Sequence, residues 1–425
     1  MHTGADKNIG ERMFASFYNR DYRAFWIGNF FSLIGTWIQQ TAQGWLVFRL
    51  TSSAQMLGVV GFMAQLPLIT FGLFAGVLAD RMDRRRALLA TQVVSMLQAG
   101  LLAALVMTDT VRPWHIVALA FVLGSINTFD LPLRHAFLME LVGQAHVRNT
   151  IALNSMMFNI TRMIGPAFAG VLVSAAGEGL CFAVNSLSFL GIIMVLARLR
   201  VRQEVQPRRS HEPVLQSLRE GLAFVWHRPH MRNPVVMLAL SGLVVTPVLV
   251  LLPAVAARLL HGGPKTLGLL FSCLGGGSLM AASLLAAQKM KRLLREIGRA
   301  GVLYGLALIL VAVSGNVFVS CVGAAVAGFG AIIMAVGTNT QLQSNITGRM
   351  RGRLASLYML SYFGFAPVGS LLLGRIGDSF GVGTAIALGG FWAIGASVWF
   401  LRQMPVMESA QLSAERAEFA EMDEP

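Results

Sequence analysis

Twelve apolar segments separated by short polar loops constrain this chain more than any other feature of its sequence. A helix needs about 20 mostly apolar residues to cross the hydrocarbon core of a bilayer. We predict spans at residues 24–48, 55–79, 87–108, 114–136, 150–175, 179–198, 234–257, 267–288, 300–315, 317–340, 354–376 and 382–401. Because lipid offers the backbone no hydrogen-bonding partner, segments that cross it must be helical. The pattern therefore predicts an all-α integral membrane protein with twelve transmembrane helices.

The composition excludes a soluble fold. Of the 425 residues, 55% are hydrophobic and 13% are charged, and a globular protein cannot bury that much apolar surface. The three cysteines, Cys181, Cys273 and Cys321, fall inside predicted spans and lack the spacing of a metal site or a disulfide framework. We expect them to be small core residues, and we expect no metal and no other cofactor.

Basic residues predict the orientation of the chain in the membrane. Almost all of the 34 lysines and arginines fall at alternate ends of the predicted spans. The opposite ends carry only Arg49, Arg112, Arg258, Lys265 and Arg375. Since cytoplasmic loops hold the excess of Lys and Arg, we predict that both termini are cytoplasmic. The net charge of +14 is then a signal of topology, and we expect no binding to nucleic acid.

The order of polar and apolar stretches predicts two related halves. We expect an N-terminal cytoplasmic segment (1–23), an N-terminal six-helix bundle (24–198), a cytoplasmic linker with an interfacial helix (199–233), a C-terminal six-helix bundle (234–402) and an acidic cytoplasmic tail (403–425). One internal echo supports the relation, because Leu57-Gly58 recurs as Leu267-Gly268, each pair just after a polar outer loop. Pseudo-symmetric bundles of this kind are a known carrier design.

The linker contains a short amphipathic pattern. Leu215, Leu218, Leu222 and Val225 recur at helical spacing. This predicts a helix that lies on the cytoplasmic surface of the membrane. The alternative is an ordinary linker helix without a regulatory role.

An arginine run lies between the second and third predicted spans. Asp80 ends the second span, and Arg81, Arg84 and Arg85 follow within one turn and a half. The simplest interpretation is that these cations anchor the loop in the cytoplasm. An acid among arginines also predicts a salt-bridged latch that closes the cytoplasmic side in one state, with Gly76 allowing a close approach of helices.

The run resembles the signature loop of the major facilitator superfamily, Gly-x-x-x-Asp-Arg-x-Gly-Arg-Arg, with Asp83 in place of the second glycine. Further matches resemble one branch, the bacterial exporters similar to the enterobactin exporter, also called transmembrane secretion effectors. The matching residues are Gly35-Thr36-Trp37, Asp130-Leu131-Pro132-Leu133-Arg134, Leu153-Asn154-Ser155, Arg162, Asn185-Ser186-Leu187-Ser188-Phe189 and Arg351-Gly352-Arg353. The resemblance covers roughly residues 20–402. It implies the major facilitator fold and a carrier that works by alternating access.

Residues 165–170 resemble the antiporter motif of drug exporters in the same superfamily. They read Gly-Pro-Ala-Phe-Ala-Gly, with Gly165, Pro166 and Gly170 as the motif residues. The proline removes a backbone donor and bends the helix, and the glycines let a neighbouring helix pack closely. The alternative is an ordinary proline kink. Such antiporters often carry an arginine in span four, where this chain has Ala120, so the usual proton relay lacks that arginine.

Charged residues inside the spans are candidates for coupling, because each is costly in a membrane unless it is paired or hydrated. Asp130 and Arg134 lie one helical turn apart near the cytoplasmic end of span four and can form an i,i+4 pair. Arg162 lies near the middle of span five, where it can reach Asp130 or an anionic ligand. The alternative for Asp130 and Arg134 is a structural ion pair at a helix end.

Polar side chains recur on one face of several spans, which predicts a hydrated cavity. In spans one and five they follow each other at steps of three and four residues. The candidate cavity residues are Asn29, Thr36, Gln40, Gln43, Asn159, Arg162, Tyr358 and Tyr362. The alternative is a set of interhelical hydrogen bonds that only hold the bundle together.

Together these patterns predict a secondary active transporter in a bacterial cytoplasmic membrane. It would export a siderophore, a drug or another amphipathic metabolite in exchange for protons. Its partners would be the small-molecule substrate, protons and membrane lipids, and we expect a monomer. Import, or flipping of a lipid-like substrate, is the alternative within the superfamily, and a membrane receptor without transport is a further alternative. The sequence shows neither a Walker-type nucleotide loop nor a hydrolase motif, so we expect that the protein is not an enzyme.

Overall fold

The computed structural model describes residues 15–79, 82–143, 147–199, 214–287, 293–344 and 350–410, and these are almost entirely helical. The helices in chain order are α1 Arg20–Thr51, α2 Ala54–Ala79, α3 Arg84–Met107, α4 Pro113–Val142, α5 Val147–Arg198, α6 Val214–Trp226, α7 Pro229–Gly242, α8 Val245–Ala254, α9 Pro264–Ala287, α10 Leu293–Ser314, α11 Val317–Ser344, α12 Met350–Phe363, α13 Ala366–Ser379 and α14 Val382–Arg402. A π-helical segment, Val255–Leu259, continues α8.

The predicted spans are all present as helices. Ten helical stretches of the described chain are long and apolar enough to cross a membrane. One of them, Asn149–Arg198, holds two predicted spans that meet at Gly177, where φ is 79° and the helix is interrupted. Helix α1 has 32 residues and is also long enough, although its amide and hydroxyl side chains make it more polar. The prediction of an all-α membrane fold with twelve spans is therefore confirmed.

Two spans differ from the prediction because each is built from two helices. The seventh breaks between Gly242 and Val245, and the eleventh breaks between Phe363 and Ala366. The two breaks pack together, since a methyl group on Gly242 would lie 2.5 Å from the carbonyl oxygen of Tyr362. Neither α8 nor α13 receives a side-chain cap at its start. Discontinuous helices of this kind are typical of substrate sites in secondary transporters.

The ninth span is longer than predicted. We expected residues 300–315, whereas α10 begins at Leu293 and ends at Ser314. The early turns are helical because Leu294 and Ile297 are buried against the bundle, while Glu296 forms an ion pair with Arg299 on the exposed side. A charge-rich stretch that read as a loop is thus the amphipathic start of a helix.

The chain groups into two compact units. Unit 1 contains Met1–Leu50, Leu66–Arg208 and Gly263–Ser272, and unit 2 contains Thr51–Gln65, Arg209–Gly262 and Cys273–Pro425. The first turns of α2 therefore belong to unit 2, and the first turns of α9 belong to unit 1. At these two segments the grouping by contact departs from the order of the sequence. The domain limits drawn from the sequence remain a prediction.

The linker helix α6 packs on other helices of unit 2. Val225 is buried in a cluster with residues of α7, α11 and α12. Glu220 forms an ion pair with Arg353 of α12 at 2.6 Å, and Gly221 lies against the Arg353 side chain. Leu222 and Trp226 stay exposed on the other face. The predicted helix is confirmed, and its place on the membrane surface remains a prediction.

Candidate substrate and coupling site

Asp130 and Arg134 form a buried ion pair on α4 in unit 1. The Arg134 Nη2 lies 2.7 Å from Asp130 Oδ2, and the side chains of Arg134 and Asp130 are 19% and 13% exposed. Arg134 Nε donates to the same oxygen at 2.9 Å, so the contact is bidentate on the arginine side. The predicted i,i+4 pair is therefore confirmed.

Three further side chains complete this charged network. Thr91 Oγ1 and Gln92 Nε2, both on α3, donate to Asp130 Oδ1 at 2.7 and 2.6 Å. Arg134 Nη1 donates to Asn29 Oδ1 on α1. Hydrogen bonds of this kind offset the cost of removing a charge from water. The network thus joins three helices through one carboxylate and one guanidinium.

Arg162 lies on α5 against helix α1. Its guanidinium carbon is 5.9 Å from the centre of the Trp37 ring, within the range of a cation–π contact. The two helices are close together at this point, since a methyl group on Gly165 would lie only 2.5 Å from Cβ of Trp37 and glycine avoids that clash. The predicted mid-span arginine is thus placed beside an aromatic ring.

The other predicted cavity residues of unit 1 range from buried to exposed. Asn29 and Gln43 are buried, and Thr36 donates to the backbone oxygen of Ser32 at 2.9 Å. Gln40 is exposed. Asn159 is half-buried and donates to the backbone oxygen of Ser155 in its own helix at 2.8 Å. The common face predicted for these residues is therefore only partly buried.

A second buried amide network uses a residue that the sequence prediction passed over. Gln39 Nε2 donates to Gln98 Oε1 at 3.0 Å, and Asn185 Nδ2 donates to Gln39 Oε1 at 2.7 Å. The sequence predicts its neighbour Gln40 for the polar face of α1. Gln39 lies two turns after the buried Ser32 and shares its face, whereas Gln40 lies about 100° further round the helix.

In unit 2, Tyr358 and Tyr362 stack on α12. Their ring centres are 6.3 Å apart and the planes differ by 14°. The Tyr358 hydroxyl donates to the backbone oxygen of Ala335 at 3.2 Å. Tyr362 also supplies the carbonyl beside Gly242, so the aromatic pair adjoins the break in the span.

The arginine run has partners that the sequence prediction did not name. Arg84 forms an ion pair with Glu140 of α4 at 2.5 Å, with both side chains mostly buried. Arg85 donates to the backbone oxygens of Leu196 and Ala197 at the end of α5, each at 2.7 Å. Cations at a helix C-terminus are stabilised by its dipole. These contacts hold the run to other helices of unit 1.

Asp83 caps the start of α3, accepting from the backbone N–H of Arg86 at 3.0 Å. Asp80 and Arg81 lie outside the described residues. A methyl group on Gly76 would meet nothing within 4 Å in the described part of the chain, so the close approach of helices at Gly76 remains a prediction.

The glycines of the antiporter-type motif pack as predicted. A methyl group on Gly170 would lie 2.8 Å from the Pro264 carbonyl oxygen at the start of α9. The reverse contact is tighter, since a methyl group on Gly268 would lie 2.4 Å from the carbonyl oxygen of Pro166. Backbone meets backbone at this point, as small residues allow in membrane helices.

Comparison with known proteins decides the family. The sequence matches the transmembrane secretion effector family over residues 11–424, which is nearly its whole length. The chain belongs to this family. Its members are transporters of the major facilitator superfamily, so this secretion effector is a multi-pass membrane transporter and not an enzyme.

Proteins related to this chain are named as transporters or efflux proteins. The staphyloferrin A transporter of Staphylococcus aureus is 24% identical over 84% of this chain and 90% of its own. The multidrug efflux pump Tap of Mycolicibacterium fortuitum is 27% identical over 82% of this chain and 87% of its own. The macrolide efflux protein A of Streptococcus pyogenes is 22% identical over 61% of this chain and 64% of its own.

Solved structures show the same fold at low identity. The nucleoside transporter NupG aligns with a TM-score of 0.69 and 11% identity over 90% of this chain and 98% of that one. A bacterial homolog of the human lysosomal transporter Spinster aligns with a TM-score of 0.67 and 12% identity over 94% of this chain and 97% of that one. Both comparisons confirm the major facilitator fold.

Proposed function

We propose that this secretion effector exports a small amphipathic molecule across a bacterial cytoplasmic membrane by proton-coupled alternating access, with both termini in the cytoplasm. The observation that carries the proposal is the buried network of Asp130, Arg134 and their neighbours within a transporter family. Buried ionisable residues in membrane helices mark ion and proton pathways. The names of the relatives, which include efflux pumps and a siderophore transporter, support export of such a molecule.

Asp130 is the candidate proton-responsive group. Its carboxylate accepts from Thr91 and Gln92 on one oxygen and from Arg134 on the other. Protonation would remove the charge that holds Arg134, and the added proton would occupy an oxygen that already accepts, so at least one bond from Thr91, Gln92 or Arg134 would break. One proton would thereby change the contact between two helices, which is the kind of linkage that coupling requires.

Transport into inside-out vesicles tests this proposal. With an imposed proton gradient, wild-type vesicles should accumulate at least one of three probes, namely staphyloferrin A, a macrolide or ethidium, and a protonophore should abolish the accumulation. Right-side-out vesicles should not accumulate it. Gradient-driven uptake by right-side-out vesicles alone would overturn export in favour of import.

The variant Asp130→Asn tests the coupling role. It keeps the side chain's shape and removes the charge, so gradient-driven accumulation should fall about tenfold or more, since a hydrogen bond to a charged group contributes about 1.5–3 kcal/mol. Downhill exchange of the probe should persist. Glu178→Gln is the matched control, because it removes a carboxylate that pairs with Arg49 within the same unit. Accumulation that survives Asp130→Asn would place coupling elsewhere.

Arg162 is the candidate contact for an anionic or strongly electronegative substrate group. Its guanidinium lies beside Trp37, and its fork of donors suits paired oxygens better than a lysine does. Arg162→Lys should therefore weaken binding of staphyloferrin A nearly as much as Arg162→Ala, without a change in the thermal stability of the protein. Full affinity in Arg162→Lys would remove the fork from the explanation. Normal binding with lower stability would make Arg162 a structural residue.

The arginine run is the candidate gate on the cytoplasmic side. The ion pair of Arg84 with Glu140 is the contact of this run, among those in the described chain, that we assign to the gate. Arg84→Ala and Glu140→Gln should reduce transport to a similar degree while membrane insertion stays normal. If only Arg84→Ala reduced transport, the Glu140 contact would not be part of the gate.

A further inference from the structure

The start of α2 is held by a carboxylate from the far end of the chain. Asp378, near the end of α13, accepts from the backbone N–H of Ala54 at 2.8 Å and of Gln55 at 3.0 Å. It also accepts from the Ser53 hydroxyl at 2.5 Å. The first N–H groups of a helix have no partner within that helix and carry its positive end. Asp378 therefore acts as a cap supplied by a residue that is remote in the sequence.

Arg258 fixes this carboxylate from a third element. Its Nη1 lies 3.2 Å from Asp378 Oδ1, and its Nη2 donates to the backbone oxygen of Ser52. Arg258 lies in the π-helical segment Val255–Leu259. One cation thus contacts both the carboxylate and the turn that precedes the capped helix, and the Asp378 carboxylate receives donors from Ser53, Ala54, Gln55 and Arg258.

The backbone around this cluster is strained on both sides. Ser52 has a φ of 48° and His261 has a φ of 49°, and both values are unfavourable for residues other than glycine. Such residues concentrate at switch regions, as π-helical turns do at functional sites. In the described chain the third non-glycine residue with positive φ is Asp109, so most of this strain flanks the contact made by Asp378.

Next to the cluster, the backbones of α2 and α13 are in close contact. A methyl group on Gly58 would lie 2.3 Å from the Ser370 carbonyl oxygen, and one on Gly374 would lie 2.8 Å from that of Ala54. The start of α2 therefore meets α13 backbone to backbone. Ser370 between them is fully buried.

We propose that Asp378, Ser53 and Arg258 form a clasp that fastens the start of α2 to α13 and must open once in each transport cycle. The clasp lies at the ends of the spans that the charge distribution predicts to be outside the cell. The proposal rests on the proposed function, because alternating access requires the outer side to open. A carboxylate bound by several donors can hold the closed state firmly, and loss of its charge shifts the balance toward opening.

A buried thiol reports the opening directly. In a background with Cys181, Cys273 and Cys321 replaced by alanine, Ser370→Cys puts a thiol, the reporter thiol, between α2 and α13. A membrane-impermeant maleimide added to intact cells reaches the reporter thiol only when the two helices separate. Asp378→Ala should raise the labelling rate about tenfold or more, and Asp378→Asn should raise it less, because the amide retains an acceptor oxygen.

Glu178→Gln is the matched control, since it breaks another ion pair on the same proposed side and lies in unit 1. It should leave the labelling rate of the reporter thiol unchanged. Each variant is first checked for a single symmetric peak in detergent gel filtration. An unchanged labelling rate in folded Asp378→Ala and Asp378→Asn overturns the clasp.

A crosslink tests the same contact from the opposite direction. A methyl group on Gly377 would lie 3.0 Å from Cβ of Ala54, so a separation of the two positions by under about 1 Å would give the Cβ–Cβ distance of a disulfide. The double variant Ala54→Cys, Gly377→Cys, oxidised with copper phenanthroline, should stop export of a probe, and dithiothreitol should restore it. Export that continues in the fully crosslinked protein overturns the need for opening. Faster labelling of the reporter thiol supports the clasp even if wild-type vesicles move none of the probes, in which case only the proposed substrate class fails.

Discussion

Two seams of close-packed glycine, one in each unit, share a geometry and differ in chemistry. In unit 2, α2 meets α13 through Gly58 and Gly374, and a charged cluster around Asp378 closes the end of the seam. In unit 1, α9 meets α5 through Gly268 and Gly170. Among the described residues no ion pair joins α9 to α5. The repeat of Leu57-Gly58 as Leu267-Gly268 thus corresponds to equivalent packing, which in the described chain is accompanied by an ion pair in unit 2 alone.

The difference separates two kinds of contact. Backbone packing through glycine is short in range and depends only on shape, so it forms and separates without leaving a charge unpaired. A carboxylate with several donors resists separation more strongly, because each lost bond exposes a charged or polar group. We infer that the glycine seams provide the path for movement, whereas the clasp sets the free energy needed to begin it.

The largest expected effect comes from blocking either seam. Gly58→Leu and Gly268→Leu each place a side chain against a carbonyl oxygen that a methyl group alone would approach to 2.3 and 2.4 Å. We expect both variants to insert into the membrane and to lose nearly all transport, to a similar degree. Gly191→Ala is the control, since a methyl group there meets nothing within 4 Å. A large difference between the two leucine variants would show that the seams are not equivalent.

Removal of the Ser53 hydroxyl should have the next largest effect. The hydroxyl donates to Asp378 and accepts from the backbone N–H of Met56 at 3.0 Å. Loss of an N-terminal cap typically costs about 1 kcal/mol, so Ser53→Ala should raise the labelling rate of the reporter thiol about fivefold. The same change should have no effect in a protein that already carries Asp378→Ala. Additive effects in the double variant would contradict a shared contact.

The concentration of salt should have a smaller effect on the seam of unit 2, which carries the ion pair. The side chains of Asp378 and Arg258 are 24% and 39% exposed, so ions can screen their attraction. Raising NaCl from about 0.05 to 1 M should increase labelling of the reporter thiol about twofold, as expected for a partly exposed pair. Asp378→Ala should abolish this dependence on salt. A response that persists without the carboxylate would assign it to another charge.

The smallest expected effect is at Arg375, one turn before Asp378. Its Nη1 donates to Gln55 Oε1 at 3.2 Å on the exposed side of the seam. Many exposed contacts of charged side chains contribute nothing measurable, so Arg375→Ala should change the labelling rate of the reporter thiol by less than about twofold. An effect as large as that of Asp378→Ala would move the centre of the clasp to Arg375.

The sequence predicted features with a local cause. Apolar length predicted the spans, and the four-residue spacing of Asp130 and Arg134 predicted their ion pair, since one helix determines both positions. The spacing of glycines around Pro166 predicted close packing in the same way. These predictions needed no knowledge of which helix is the neighbour.

Features that depend on a distant neighbour could not be predicted in this way. Glu140 became the partner of Arg84, and Asp378 became the cap of α2, through contacts between helices far apart in sequence. The breaks in the seventh and eleventh spans depend on the mutual packing at Gly242 and Tyr362. Helical periodicity assigns a residue to a face, and only the packed bundle determines what that face meets.

The direction in which Arg258 points depends on the number of residues in the π-helical segment. Its wide turn is closed by the N–H of Leu260, which donates to the backbone oxygen of Val255 at 3.1 Å. A regular α-helix turns by about 100° per residue, so deleting Ala256 would restore a standard turn and rotate every side chain after it. The arginine would still be present, with its charge intact, but it would point away from Asp378. The contact of Arg258 with Asp378 thus depends on the one extra residue in the π-helical turn. Deletion of that residue would break the contact even though no side chain in it had been substituted.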